Sequence, residues 1–220
     1  MRELDELLKT VKILRSPRGC PWDRAQKVDN MKGYLLEETY ELIDGIDRGD
    51  VGVIKEELGD IFLILIVIAA MFGKKGKLKL GEVLGHINKK LITRHPHVFS
   101  SKKLKTKEEV LSHWIKNKAK KKKRKSIKER LPKEAPSLLL ASIFFKECAH
   151  LGRLKSSKKE SGEILDQIID KLKVLKAGKN KKKLLSELSF DISKLAFIFG
   201  LDLEGSLRKS ILAQAQKTSY

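Results

Sequence analysis

Between Tyr34 and Phe72 the chain sets clustered carboxylates directly against an uncharged apolar run, and few folds tolerate that arrangement. Glu37, Glu38 and Glu41 come first, and Glu57 and Asp60 follow after a short break. Residues three or four apart share one face of an α-helix. Glu38 and Glu41 therefore stand together, with Glu37 also stacked over Glu41, and Glu57 and Asp60 repeat the spacing on the next helix. If the two helices pack antiparallel, four or five carboxylates converge. Such groups repel one another and are costly to strip of water. A hard divalent cation relieves both costs, and Mg²⁺ completes its shell with water and phosphate oxygens. Helix bundles build carboxylate metal sites from facing helices in this way. Either cluster alone reads equally well as a solvated acidic face. Two clusters flanking one apolar helix favour a site.

The run Ile61 to Phe72 carries no charge. It is shorter than the roughly 18–20 apolar residues that span a bilayer, so a buried core helix is expected. Composition supports a soluble, highly charged protein: 35% of the 220 residues are charged and the net charge is +20. That length suffices for one good core or two small ones. Cys20 and Cys148 are the only cysteines, so no disulfide framework is implied and a cytoplasmic location is expected. Neither a signal peptide nor a membrane span is visible. Helix formers dominate, strand-like alternation is absent, and the fold class is all-α.

Leu4, Leu7, Leu8, Val11, Ile13 and Leu14 fit an amphipathic helix that ends before Pro17. The loop Gly19-Cys20-Pro21-Trp22-Asp23 follows, with Trp22 read first as a plug at the bundle end and second as the cover of a pocket. Cys20 has no His or second Cys nearby and receives no chemical role. The acidic helix is expected from about Asp29 to Asp47, a turn at Arg48-Gly49-Asp50, and the core helix from about Val51 to Phe72. The basic loop Gly73-Lys74-Lys75-Gly76-Lys77 lacks the spacing and the Ser or Thr of a phosphate loop. A helix over about Leu80 to Arg94 carries Lys90 and Arg94 at i and i+4, a pair that would hold phosphates beside a metal and would otherwise be an ordinary solvated face. His95-Pro96-His97 reads as a structural turn, because no partner ligands are spaced for zinc. A further helix, about Lys107 to Lys118, contains Trp114.

The ordered set Gly19-Cys20-Pro21-Trp22-Asp23, Leu36-Glu37-Glu38-Thr39-Tyr40-Glu41, Glu57-Leu58-Gly59-Asp60 and Lys90-Leu91-Ile92-Thr93-Arg94-His95-Pro96-His97-Val98-Phe99 resembles the MazG family. Its members are nucleoside triphosphate pyrophosphohydrolases of the all-α NTP pyrophosphatase class. The resemblance covers roughly residues 4 to 118 and includes the full Glu-Glu-x-x-Glu and Glu-x-x-Asp signature. It implies Glu38, Glu41, Glu57 and Asp60 as Mg²⁺ ligands, with Mn²⁺ as a substitute ion. It places Glu37 in the same acidic cluster, Lys90 and Arg94 on the triphosphate, and Trp114 in the nucleotide-binding part. It also implies a homodimer. Base contacts would come from loop positions around Trp22 and Trp114.

A lysine-rich stretch from about Lys116 to Arg130 reads as an exposed linker, and beyond it the pattern restarts. The domain organisation expected is a MazG-like catalytic domain over 1–118, a linker over 119–135 and a degenerate, non-catalytic MazG-like helical domain over 136–220. Aligning Glu187 with Asp60 puts Leu184 in the place of Glu57. Asp166, Gln167 and Asp170 then match Glu37, Glu38 and Glu41, while Ala213 and Lys217 take the spacing of Lys90 and Arg94. Two ligands and one phosphate-binding lysine are missing from this copy.

The leading functional expectation is Mg²⁺-dependent hydrolysis of a nucleoside triphosphate to the monophosphate and pyrophosphate. Glu37 or Glu38 would orient or deprotonate the attacking water. The competing expectation is a basic nucleic-acid-binding or regulatory protein built on a MazG-like scaffold; nucleic-acid binding is motivated by the +20 charge and the Lys120-to-Lys125 run, and the intact first carboxylate set argues against a purely regulatory role. No helix-turn-helix, zinc motif or stacking platform accompanies that run, and a solvated linker is the favoured reading of it.

Overall fold

The computed structural model describes residues 2–73, 76, 78–100, 103–104, 106–110, 112–113, 126–154, 157–178 and 180–218. Trp114 and the Lys120-to-Lys125 run lie outside the described residues. Among those described there is no strand, and every element is a helix. The chain divides into two compact units, Met1–Lys103 and Leu104–Tyr220.

In the first unit, α1 is Arg2–Leu14, α2 is Pro21–Ala25, α3 is Val28–Arg48, α4 is Val51–Gly73, α5 is Leu80–Arg94 and α6 is Pro96–Phe99. The long hairpin of α3 and α4 is its framework, and local chemistry fixes the turn. Gly49 adopts φ +68°, the left-handed conformation that ends a helix. The Asp50 carboxylate then accepts the N–H of Gly52 at 3.0 Å and of Val53 at 3.2 Å, capping α4. At Gly45 a Cβ would stand 2.9 Å from Cγ1 of Val53, so the bare glycine lets the two helices approach closely. Moving away from the turn by equal steps, Glu41 comes opposite Glu57, Glu38 opposite Asp60 and Tyr34 opposite Ile64.

The core of this unit joins Val11 of α1, Met31 of α3 and Ile64, Ile66, Val67 and Met71 of α4. Each buried side chain of this size contributes about 1.5–3 kcal/mol. The apolar run of α4 is buried on only part of its circumference, contrary to the expectation of a helix enclosed all round. Phe62 and Leu65 remain 55% and 47% exposed. Leu58, Phe62 and Leu65 on α4, and Leu36, Tyr40 and Ile43 on α3, repeat the i, i+4, i+7 spacing of a helix face that seeks a partner. No described helix is long and apolar enough to cross a membrane.

In the second unit, α7 is Ile127–Arg130, α8 is Ser137–His150, α9 is Lys158–Lys176, α10 is Lys181–Ile198 and α11 is Leu203–Thr218. Phe145 is buried and packs against the rings of Phe144, Phe190 and Phe197, with centroids 4.9 Å apart for Phe145 and Phe190. The end of the lysine-rich stretch is packed: Arg130 on α7 meets Glu147 on α8 at 3.1 Å, both side chains less than 10% exposed.

Candidate metal and nucleotide site

The α3/α4 register brings Glu38, Glu41 and Glu57 together, with one carboxylate oxygen of each within 4.8 Å of the others. Glu57 is buried, Glu38 half-buried and Glu41 exposed, so the cluster runs from the helix interface out to solvent. Oε2 of Glu57 is shielded from water and has no hydrogen-bond partner. An unpartnered carboxylate oxygen in that position is costly unless a cation or donor satisfies it. Burial pushes the Glu38 carboxyl up to about 7, reinforced by a hydrogen bond with Glu57 and the charges of Glu57, Asp60 and Glu41. The Glu57 charge is also the largest cause raising Glu41, ahead of desolvation and the charge of Glu37.

Asp60 stands outside the tight group of three but close enough to act on Glu38. Glu37 is exposed and acts on Glu41. Lys90 and Arg94 lie one turn apart on α5 and are both half-buried. The donor set, three carboxylates around a buried unpartnered oxygen, fits a hard metal ion.

A cavity of about 280 Å³ adjoins the carboxylates, with Glu38 and Asp60 among its walls. Its apolar lining comes from Val11 of α1, Met31 of α3 and Leu63, Ile64 and Val67 of α4. Trp22 and Tyr34 also line it, their rings 6.3 Å apart and tilted by 45°. Trp22 is 60% exposed, which is a poor fit to a buried plug at the bundle end. Three polar residues of the wall, Arg15, Asp23 and Gln26, had no role in the sequence reading. The guanidinium of Arg15 donates to the backbone carbonyl of Asp23, tying the end of α1 to α2. The one signal in the sequence was the position of Gln26, a single turn beyond Trp22.

An all-α scaffold with a hairpin-borne carboxylate cluster beside an apolar cavity defines a class of helical, metal-dependent hydrolases, and sequence comparison places the chain within that class. Residues 26–99 match the MazG nucleotide pyrophosphohydrolase domain. The nucleoside triphosphate pyrophosphohydrolase/pyrophosphatase MazG of Thermotoga maritima is 34% identical over 211 residues, covering 94% of this chain and 80% of that protein. The nucleoside triphosphate pyrophosphohydrolase of Escherichia coli K12 is 35% identical over 156 residues, or 69% of this chain and 59% of its own length. That of Mycobacterium tuberculosis H37Rv is 35% identical over 123 residues, or 55% of this chain and 38% of its own. The chain belongs to the MazG family, and with it to a family of hydrolases.

Proposed function

We propose that this protein hydrolyses nucleoside triphosphates to the nucleoside monophosphate and pyrophosphate, with Mg²⁺ held by Glu38, Glu41, Glu57 and Asp60. The observation that carries this reading is the convergence of Glu38, Glu41 and Glu57 around a buried oxygen that nothing else satisfies. Mn²⁺, with similar oxygen chemistry, would substitute. The bound ion would supply polarisation of the phosphate oxygens and a lowered pKa of water.

Glu37 or Glu38 orients or takes the proton of the attacking water. Lys90 and Arg94 neutralise the charge that builds on the departing pyrophosphate. Trp22, at the cavity, contacts the base, and Trp114 is assigned to the nucleotide by family resemblance alone.

The apolar faces left open on α3 and α4 support a homodimer, each copy covering the other's Leu36, Tyr40 and Phe62. Two free cysteines accord with a cytoplasmic location. Residues 136–220 act as a degenerate MazG-like domain without catalysis, joined to residues 1–118 through the lysine-rich linker at 119–135. A second reading, binding of a nucleic acid, draws on charge distribution: Leu104–Tyr220 holds 29 basic and 13 acidic residues, Met1–Lys103 only 19 and 15. Retention of DNA or RNA that weakens steeply with salt would support it.

The test is product analysis across a panel of NTPs and dNTPs, with Mg²⁺ and with chelator. Monophosphate and pyrophosphate, lost with chelator and in Glu41→Gln, are expected. Diphosphate and orthophosphate would keep the metal assignment and move the cleaved bond. No turnover on any nucleotide would overturn the proposal.

A further inference from the structure

Trp22 stands at the cavity on a helix that has little of its own to keep it there. α2 is five residues long, and isolated helices shorter than about 12–15 residues are marginal in water. None of its residues is buried, and Cys20 at its N-cap makes no side-chain hydrogen bond to it. The described ring contact of Trp22 is a loose one, with Tyr34, and most of its surface remains exposed. The placement of α2 therefore depends on attachments from outside the helix.

Two such attachments start from the end of α1. Gly19 lies so close to that end that a Cβ would collide with the carbonyl oxygens of Ile13 and Leu14, which fixes where the chain enters α2. Arg15 holds the helix itself. Its backbone N–H donates to the carbonyl of Val11 at 3.1 Å, which roots it on a residue of the core. Its guanidinium donates to the carbonyl of Asp23, the residue after Trp22. The last carbonyls of a helix have no partner within it, and a cation there is favoured. Hydrogen bonds from a charged donor are also among the stronger ones. Arg15 is half-buried and lines the cavity together with Trp22 and Asp23.

We propose that Arg15 is a positioning residue for nucleotide binding, which holds α2 so that Trp22 is already in place at the cavity when the substrate arrives. Without this tie α2 is in position for only part of the time, and apparent affinity falls by that fraction. Arg15 acts through Trp22 and leaves the chemistry alone, because the carboxylates that gather for a metal are carried by α3 and α4. The inference rests on the proposed triphosphate hydrolysis and on the place of Trp22 in that site. Its competitor is direct contact between the guanidinium and the nucleotide, which would not depend on Trp22.

The test is a double-mutant cycle on the nucleotide hydrolysed fastest in the NTP panel, with kcat and KM measured for wild type, Arg15→Met, Trp22→Ala and the pair. Methionine keeps an unbranched apolar stem and removes the donor. Arg15→Met is expected to raise KM about tenfold with kcat within about twofold, and Arg15→Lys to recover much of the loss. In the Trp22→Ala background the same substitution is expected to change KM by less than about twofold. Losses that add in the pair would overturn the inference, since Arg15 would then act on the nucleotide without Trp22. An unchanged KM in Arg15→Met would overturn it equally. Should Arg15→Met fail to fold, the cycle is run with Arg15→Lys, whose smaller rise in KM must likewise vanish beside Trp22→Ala. Hydrogen exchange over residues 20–26 without nucleotide supplies a readout independent of turnover. It is expected to be about tenfold faster in Arg15→Met, and equal rates would show that Arg15 does not hold α2. Hydrolysis of no nucleotide by the wild type would instead remove the function on which the inference rests, and the exchange rates would still decide whether Arg15 holds α2.

Discussion

The hairpin of α3 and α4 and the hairpin of α9 and α10 solve the same electrostatic problem in opposite ways. Both bring acidic side chains to the interface of two antiparallel helices. In α9/α10 the chain supplies its own cations. Nζ of Lys171 lies 2.6 Å from Asp191 and 3.7 Å from Glu187, and Lys194 meets Glu160 at 2.9 Å. The hydrogen bond to Asp191 raises Lys171 above the usual lysine range and keeps it charged. Leu184, aligned by sequence with Glu57, is simply buried. In α3/α4 no ion pair to Glu38, Glu41 or Glu57 is seen among the described residues, and a buried oxygen of Glu57 goes without a hydrogen-bond partner. One hairpin places lysines of its own against its carboxylates. The other gathers three carboxylates that could hold a metal ion.

Substituting carboxylates on each side should give the largest contrast. Glu41→Gln or Asp60→Asn is expected to reduce turnover by roughly 10²–10³-fold while the helical circular dichroism is unchanged, since a charge-stabilising group is lost and no core is disturbed. Asp170→Asn or Glu187→Gln, the counterparts in the second unit, should change turnover less than about twofold, because neither belongs to the group of three carboxylates. Comparable losses on both sides would erase the distinction between the hairpins.

Much of this arrangement is legible in the sequence, because it depends on local rules. Gly49 in its turn ends α3, and the helical spacing of Glu38 and Glu41 foreshadows their meeting with Glu57, while Asp60 stands outside the tight group. The rest depends on pairing between helices. The register that buries Glu57 but leaves Glu41 exposed is set by the close approach at Gly45, which spacing alone does not reveal. Gln26 becomes part of a wall only when α1, α2, α3 and α4 come together. Lys171 neutralises residues 16 and 20 positions further on, and reading that requires the α9/α10 register. The apolar run of α4 was expected to be enclosed, yet Phe62 and Leu65 face outward because no described helix of the first unit covers that side.

Metal addition should separate the hairpins thermodynamically. A ligand present at 100 times its Kd stabilises the state that binds it by about 2.7 kcal/mol. Mg²⁺ is therefore expected to raise the unfolding midpoint of the first unit by that equivalent and to leave the second unmoved. Hydrogen exchange followed separately on peptides of α4 and α10 would resolve the two. Protection gained equally in α10 would show that the lysines there do not replace a metal.

A smaller effect is expected from Lys171→Met. The pair with Asp191 is partly open to solvent, with side chains 25% and 12% exposed, so its loss falls between surface and buried cases. About 1–2 kcal/mol is expected, read as a lower denaturant midpoint, with Lys171→Arg retaining most of the stability. An unchanged midpoint would mean that the second hairpin does not need its own cation.

The last contrast is the dependence of the metal-free protein on pH, which one half-buried group dominates. Burial and the neighbouring carboxylates raise Glu38 to about 7, above the 4.5 of a free glutamate. The metal-free folded state therefore holds this proton more tightly than the unfolded chain does. Its stability must fall as pH rises from about 4.5 through 7, and the loss is complete above that range. Mg²⁺ binding runs the other way, because the ion competes with the proton for the same oxygens. At fixed subsaturating Mg²⁺ the first unit should gain protection as pH rises through 7. Lys171, raised by its hydrogen bond to Asp191, stays charged over the same range and contributes no such slope to the second unit. Thermal melts of the metal-free protein between pH 5 and 8 should thus show a declining midpoint for the first unit, abolished in Glu38→Gln. A midpoint that rises with pH, or a decline that survives in Glu38→Gln, would mean that the strain in the cluster is carried by another carboxylate.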